Sequence, residues 1–129
     1  IKISEGNDLT IVTSGGRLPD TIDALKNFVN TNLEVDLFYI SRIKPLEIGL
    51  IEESIFKTGK LLVIEDHGAV GSLHSLIISS IKIHAKFEHI ALNLSDKKLS
   101  GYGSYDVLAK KVGLSAEIIC ERIKFLKDL

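Results

Sequence analysis

The run Leu61 to Asp66, LLVIED, sets four aliphatic residues in a row and closes on two acids. It lacks the alternation of a half-exposed strand, so both of its faces meet apolar neighbours, as in a central strand of a parallel sheet. Three similar runs surround it. Asp8 to Thr13 (DLTIVT), Val35 to Ile40 (VDLFYI) and His89 to Leu94 (HIALNL) are short, rich in β-branched or aromatic residues, and also read as strands.

The segments between these runs carry helical spacing. From Pro19 to about Asn30, proline starts a helix, Ile22, Leu25, Phe28 and Val29 share one face, and Asn30-Thr31-Asn32 stops it. From Glu47 to Lys57, Ile48, Ile51 and Ile55 repeat at helical intervals, and Gly59 is placed for the left-handed position beyond the last turn. Ser72 caps a third helix with the stripe Leu73, Leu76, Ile77 and Ile81. Ser104 to Val112 and Ser115 to Leu126 give two more, with Val107, Leu108, Val112, Ile118, Ile119, Ile123 and Leu126 inward.

Strands alternating with helices through short loops predict a three-layer α/β/α, Rossmann-like fold with a mostly parallel sheet of about five strands and right-handed crossovers. Ile1 to Ser4 reads as an added edge strand, set off by the turn Glu5-Gly6-Asn7-Asp8. If the first two helices cover opposite faces, the first and third main strands become neighbours. The connection Leu99 to Ser104, with Gly101 and Gly103, reads as flexible.

Ile, Leu and Val supply 18, 18 and 7 of the 129 residues, enough for a core, and the length predicts one domain over residues 1–129. Sixteen basic against seventeen acidic residues leave a net charge of −1. The basic clusters are pairs such as Lys97-Lys98 and Lys110-Lys111, so no nucleic-acid partner is expected. The uncharged run Gly68 to Ile81 is too short and too rich in serine to span a bilayer, and no membrane partner is expected. The single cysteine, Cys120, forms no internal disulfide and points to a reducing, cytoplasmic setting. The sequence has no methionine, which predicts a piece of a longer chain or assembly.

Ligands of open α/β sheets bind beyond the strand ends where strand order reverses. Two loops reach that edge, Ser14-Gly15-Gly16 after the first main strand and Asp66-His67-Gly68 after the third. These six residues are the candidate crevice or interface. The first loop lacks the spacing and lysine of a phosphate loop and reads equally as a structural turn. Gly68 to Ser72 (GAVGS) offers backbone amides to an anion, or simply lets a strand pack close to a helix. Asp66 and His67 form an acid/base pair, or Asp66 caps the loop while His67 bonds to the backbone. His74, His84 and His89 have no i, i+4 partner and no cysteine companion, so no metal site is expected. Cys120 reads as a buried inert thiol, and no serine sits in a nucleophile elbow. No catalytic residue is assigned.

Asp8 to Gly15 (DLTIVTSG), Ile43 to Leu46 (IKPL), Thr58 to His67 (TGKLLVIEDH) and GAVGS follow in an order and spacing that resemble the C-terminal domain of transketolase. The tail from Glu88 to Leu126, with ALNL and AKKVGLS, is similar to that family's last strand and closing helices. The loop after His67 departs, being shorter than the usual Gly-Gly-x-Gly-Glu pattern.

The resemblance implies an enzyme of the pentose phosphate pathway type, moving two-carbon ketol units between sugar phosphates with thiamine diphosphate and Mg or Ca. It implies a homodimer or a split assembly, with other transketolase domains or a second subunit as partners. Those domains hold the cofactor, so this chain itself is expected to bind none. The β subunits of 2-oxo acid dehydrogenases and deoxyxylulose phosphate synthase share parts of the pattern. A free-standing metabolite-binding regulatory domain is the reading from another class.

Overall fold

The computed structural model describes residues 1–68, 70–82, 86–94 and 105–129. His84, Lys97-Lys98 and the connection from Leu99 to Ser104 lie outside the described residues, as does Ala69 within GAVGS.

In chain order the elements are β1 (Lys2–Ser4), β2 (Leu9–Ser14), a single 3-10 turn (Gly15–Arg17), α1 (Leu18–Lys26), β3 (Val35–Ile40), α2 (Ile48–Thr58), β4 (Lys60–Ile64), α3 (Leu73–Ser80), β5 (Glu88–Leu92), α4 (Tyr105–Lys111) and α5 (Ala116–Lys127). The five strands form one sheet in the order β1-β3-β2-β4-β5, antiparallel only between β1 and β3. This is the expected α/β architecture with its antiparallel edge strand.

Alternation along the strands divides the core. Leu9, Ile11, Val35, Leu37, Leu62 and Ile64 lie beneath Ala24 of α1 and Ile119, Ile123 and Leu126 of α5. Val12, Phe38, Leu61 and Val63 lie beneath Ile51 and Ile55 of α2 and Leu73 and Ile77 of α3. Because α1 and α2 cover opposite faces, the crossover from β3 to β4 passes β2, and β2 and β4 pair in register from Thr10 opposite Leu61 to Thr13 opposite Ile64. Strand order therefore reverses at β2, as the sequence predicts.

Several boundaries need correction. The first helix ends at Lys26, not Asn30, because Asn27 bonds its side chain back to the Ala24 carbonyl at 3.2 Å and Thr31 donates to Phe28 O at 2.7 Å. Such local bonds compete with helix propagation. Ile22 and Val29 are 40% and 75% exposed, since the buried stripe runs through Thr21 and Ala24, small enough to bring the helix close to the sheet. Val107 is likewise 48% exposed, and after α4 it is Val112 and Leu114 that pack against Leu92 and Leu94. The third and fourth main strands start and end earlier than read, at Lys60–Ile64 and Glu88–Leu92, so Asp66 stands beyond the strand.

Candidate functional site

The reversal of strand order puts the end of β2 beside the end of β4. Ser14 is the last residue of β2 and is 4% exposed, with no hydrogen-bond partner for its hydroxyl among the described residues. The chain then turns at Gly15 with φ of 60°, a conformation that disfavours other residues. A Cβ built at Gly15 would lie 2.5 Å from Asp66 Oδ1, so any side chain here would displace the Asp66 carboxylate. The Tyr39 hydroxyl donates to Gly15 O at 3.5 Å. Gly16 is exposed at the rim.

Arg17, fully buried, anchors this turn. Its Nη1 donates to Leu114 O at 3.0 Å and pairs with Asp20 Oδ2 at 3.2 Å, tying the loop after β2 to the residues that lead into α5. Sequence reading missed it, because a lone arginine between glycine and leucine looks like surface.

The second loop carries the acids. Glu65 is fully buried, and its carboxylate accepts from Leu73 N at 2.9 Å and His74 N at 3.0 Å. It thus caps α3 with a full negative charge at the positive end of the helix dipole. Ser72 Oγ accepts from Ser75 N at 3.1 Å and completes the cap. Asp66 is half-buried and turns its carboxylate toward Gly15. His67 is exposed, while its carbonyl accepts from Leu94 N at 2.9 Å. Gly68 is half-buried beside it.

The structure therefore brings Ser14, Gly15 and Asp66 together and leaves Gly16 and His67 outward. The start of α3, where an anion would bind, already faces the Glu65 carboxylate. A pyrophosphate and its metal do not fit: Glu65 takes the α3 amides and Asp66 fills the space over Gly15, so an incoming phosphate would meet like charge. Among the described residues no group of three or more His, Cys, Asp or Glu side chains could hold a metal ion. Cys120, read as a buried inert thiol, is half-buried and packs against the core on the inner side of α5.

Replacing Glu65 with Gln is expected to cost about 1–3 kcal/mol, because the amide nitrogen must then face a backbone N–H that has no other acceptor. Urea unfolding of the Glu65→Gln variant measures it, and an unchanged midpoint would show that the cap is dispensable.

Residues 1–119 match the family described as transketolase, C-terminal domain. The chain belongs to this family. Among the relatives of this transketolase C-terminal domain, a subunit of the apulose-4-phosphate transketolase of Phocaeicola vulgatus is 23% identical over 95% of the chain and 39% of that protein. The 1-deoxy-D-xylulose-5-phosphate synthase of Clostridium acetobutylicum is 26% identical over 94% of the chain and 20% of that protein. The β subunit of the pyruvate dehydrogenase E1 component of Rickettsia bellii is 38% identical over 50% of the chain and 20% of that protein. A solved split-gene transketolase, in an inactive β4 tetramer, superposes over the whole chain and 42% of its own with a TM-score of 0.85 at 22% identity, which establishes the shared fold. The transketolase C-terminal domain thus spans less than half the length of each of these relatives. No helix among the described residues is long and apolar enough to cross a membrane.

Proposed function

We propose that this chain is the C-terminal domain of a transketolase-like enzyme that transfers two-carbon ketol units between sugar phosphates, and that its part is domain packing and assembly. The 129 residues form one domain of a longer chain or of a subunit in a cytoplasmic, homodimeric or split assembly. Thiamine diphosphate and Mg or Ca are held by the partner domains. The observation that carries this reading is the family match over residues 1–119, and the crevice agrees with it, because the Glu65 carboxylate already takes the two amides at the start of α3. That occupancy weighs against a free-standing regulatory domain that binds a phosphorylated metabolite there.

The similarity to the pyruvate dehydrogenase β subunit, at higher identity over half the chain, supports the second reading, a 2-oxo acid dehydrogenase β subunit. The two readings part on donor chemistry. Ketol transfer between sugar phosphates by the assembled enzyme supports the first; decarboxylation of a 2-oxo acid with no ketol transfer would overturn it.

The chain alone is expected to bind neither thiamine diphosphate nor Mg, and a magnesium-dependent micromolar Kd in calorimetry would refute the assignment of the cofactor to the partner domains. Asp66→Ala and His67→Ala are each expected to change the stability of the chain by less than about 1.5 kcal/mol, as for groups with local bonds near the surface. Both should weaken assembly or ketol transfer more than folding. Equal losses in thermal stability and in activity would reduce this crevice to a fold element.

A further inference from the structure

His74 of α3 and His89 of β5 lie fifteen residues apart in sequence, yet His74 Nε2 stands 3.1 Å from His89 Nδ1. The ring centroids are 5.1 Å apart and the planes are tilted by 36°. We propose that this pair is a two-imidazole binding site for a late first-row divalent cation, Cu²⁺, Ni²⁺ or Zn²⁺, that ties α3 to the edge strand.

The distance carries the inference. With metal–nitrogen bonds of about 2.0–2.1 Å, two ligands at a tetrahedral angle stand about 3.3–3.4 Å apart, and two at a right angle about 2.9 Å. The observed separation of 3.1 Å falls between these limits, and an ion can replace the shared proton once each ring turns its nitrogen lone pair off the line between the two nitrogens, by about 40° for metal–nitrogen bonds of that length. Each ring comes from a regular element whose backbone is fixed, α3 by its Glu65 and Ser72 caps and β5 by its ladder with β4. Phe87 lies 5.6 Å from the His89 ring, and backs it. Among the described residues no carboxylate or carbonyl bonds either ring, and His89 is exposed, so water can complete the coordination sphere.

The ring that donates across the contact must change tautomer on binding and carry its proton on the other nitrogen. No net proton leaves a neutral pair. Imidazole ligands select late transition metals, whereas Mg and Ca require oxygen ligands, so this site differs in kind from the metal partner of thiamine diphosphate.

Calorimetric titration of the chain with Ni²⁺ or Zn²⁺ at neutral pH is expected to show one strong site. His74→Gln or His89→Gln should weaken it by roughly a hundredfold, since the second imidazole binds as an intramolecular ligand. His67→Gln should leave it unchanged. Substoichiometric Cu²⁺ should broaden amide resonances of α3 and β5 first. Circular dichroism establishes that the variants are folded. No strong site in the unsubstituted chain, equal affinity in His74→Gln and His89→Gln to that of the unsubstituted chain, or broadening centred elsewhere would each overturn the proposal.

Discussion

Aspartate in place of Ile64, Leu73 or Ile77 is expected to unfold the domain. Ile64 and Ile77 are 0% exposed and Leu73 is 1% exposed, and they serve opposite faces of the sheet, Ile64 under α1 and α5, Leu73 and Ile77 on the inner side of α3 against the other face. Each change forfeits about 1.5–3 kcal/mol of apolar burial. It also buries a carboxylate, at a further several kcal/mol even after the group protonates. Against a total stability of about 5–15 kcal/mol, the two losses together are decisive. Leu73→Asp adds a second acid next to Glu65, whose carboxylate already accepts from Leu73 N. A conservative Ile64→Val control should cost only about 0.5–1.5 kcal/mol. Thermal melts followed by circular dichroism decide the point: an unchanged melting temperature in any aspartate variant would mean that its element is not where the fold places it.

Positions that bury residues on both faces were the most legible. LLVIED announces a central strand because no polar residue interrupts its first four positions, and β2 and β4 are indeed buried from Leu9 to Ser14 and from Leu61 to Ile64. Helix faces were less legible where the contact is made by small residues. Thr21 and Ala24 face the sheet beneath α1, but an apolar stripe drawn from size alone rotates toward Ile22 and Val29. Periodicity records which residues prefer burial, while close helix packing is decided by which residues permit approach.

In the site, topology was readable and chemistry was not. Parallel strands joined by helices on opposite faces make neighbours of β2 and β4, so Ser14-Gly15 beside Asp66 follows from connectivity. Nothing local says that Glu65 turns inward to α3 while Asp66 turns to Gly15, because that depends on which face each residue meets after the strand ends. The same limit hid Arg17, whose partner Leu114 is 97 residues away, and His74, whose partner belongs to another element. Spacing rules find ligands that share one helix or loop; they are blind to pairs that tertiary structure assembles.

Asp36→Ala is expected to be the most destabilising substitution of a polar residue. Asp36 is fully buried near the start of β3, and Gly6 N donates to its Oδ1 at 2.8 Å while Ser54 Oγ donates to its Oδ2 at 2.6 Å. Lys57 Nζ lies 2.8 Å from Oδ2 and Lys2 Nζ 3.1 Å from Oδ1, and Ser54 continues the network to Thr10 Oγ1 at 2.7 Å. A side chain at Gly6 would run into the backbone of Glu34 and Val35, so this approach admits only glycine. Burial by itself pushes the Asp36 carboxyl up, but Lys57, Ser54, the Gly6 amide and Lys2 together hold it well below the usual carboxylate range.

Truncation to alanine leaves the Gly6 amide without its acceptor and Lys2 and Lys57 without their counter-ion, turns Ser54 to Thr10 alone, and opens a cavity, a loss of about 3–5 kcal/mol. For a chain of this length that lowers the melting temperature by roughly 11–18 °C. The sign of the pH dependence follows from the lowered pKa. The unfolded state binds the proton first, so the contribution of Asp36 is complete above the unfolded value of about 3.9 and is lost as pH falls through the lower folded value. Asp36→Asn keeps an acceptor for Gly6 but removes the charge, so it should cost less at neutral pH and flatten the acid limb of the stability curve. Equilibrium unfolding of both variants across the acid range tests this. An acid limb in Asp36→Asn as steep as in the unsubstituted chain would assign the acid sensitivity to other carboxylates.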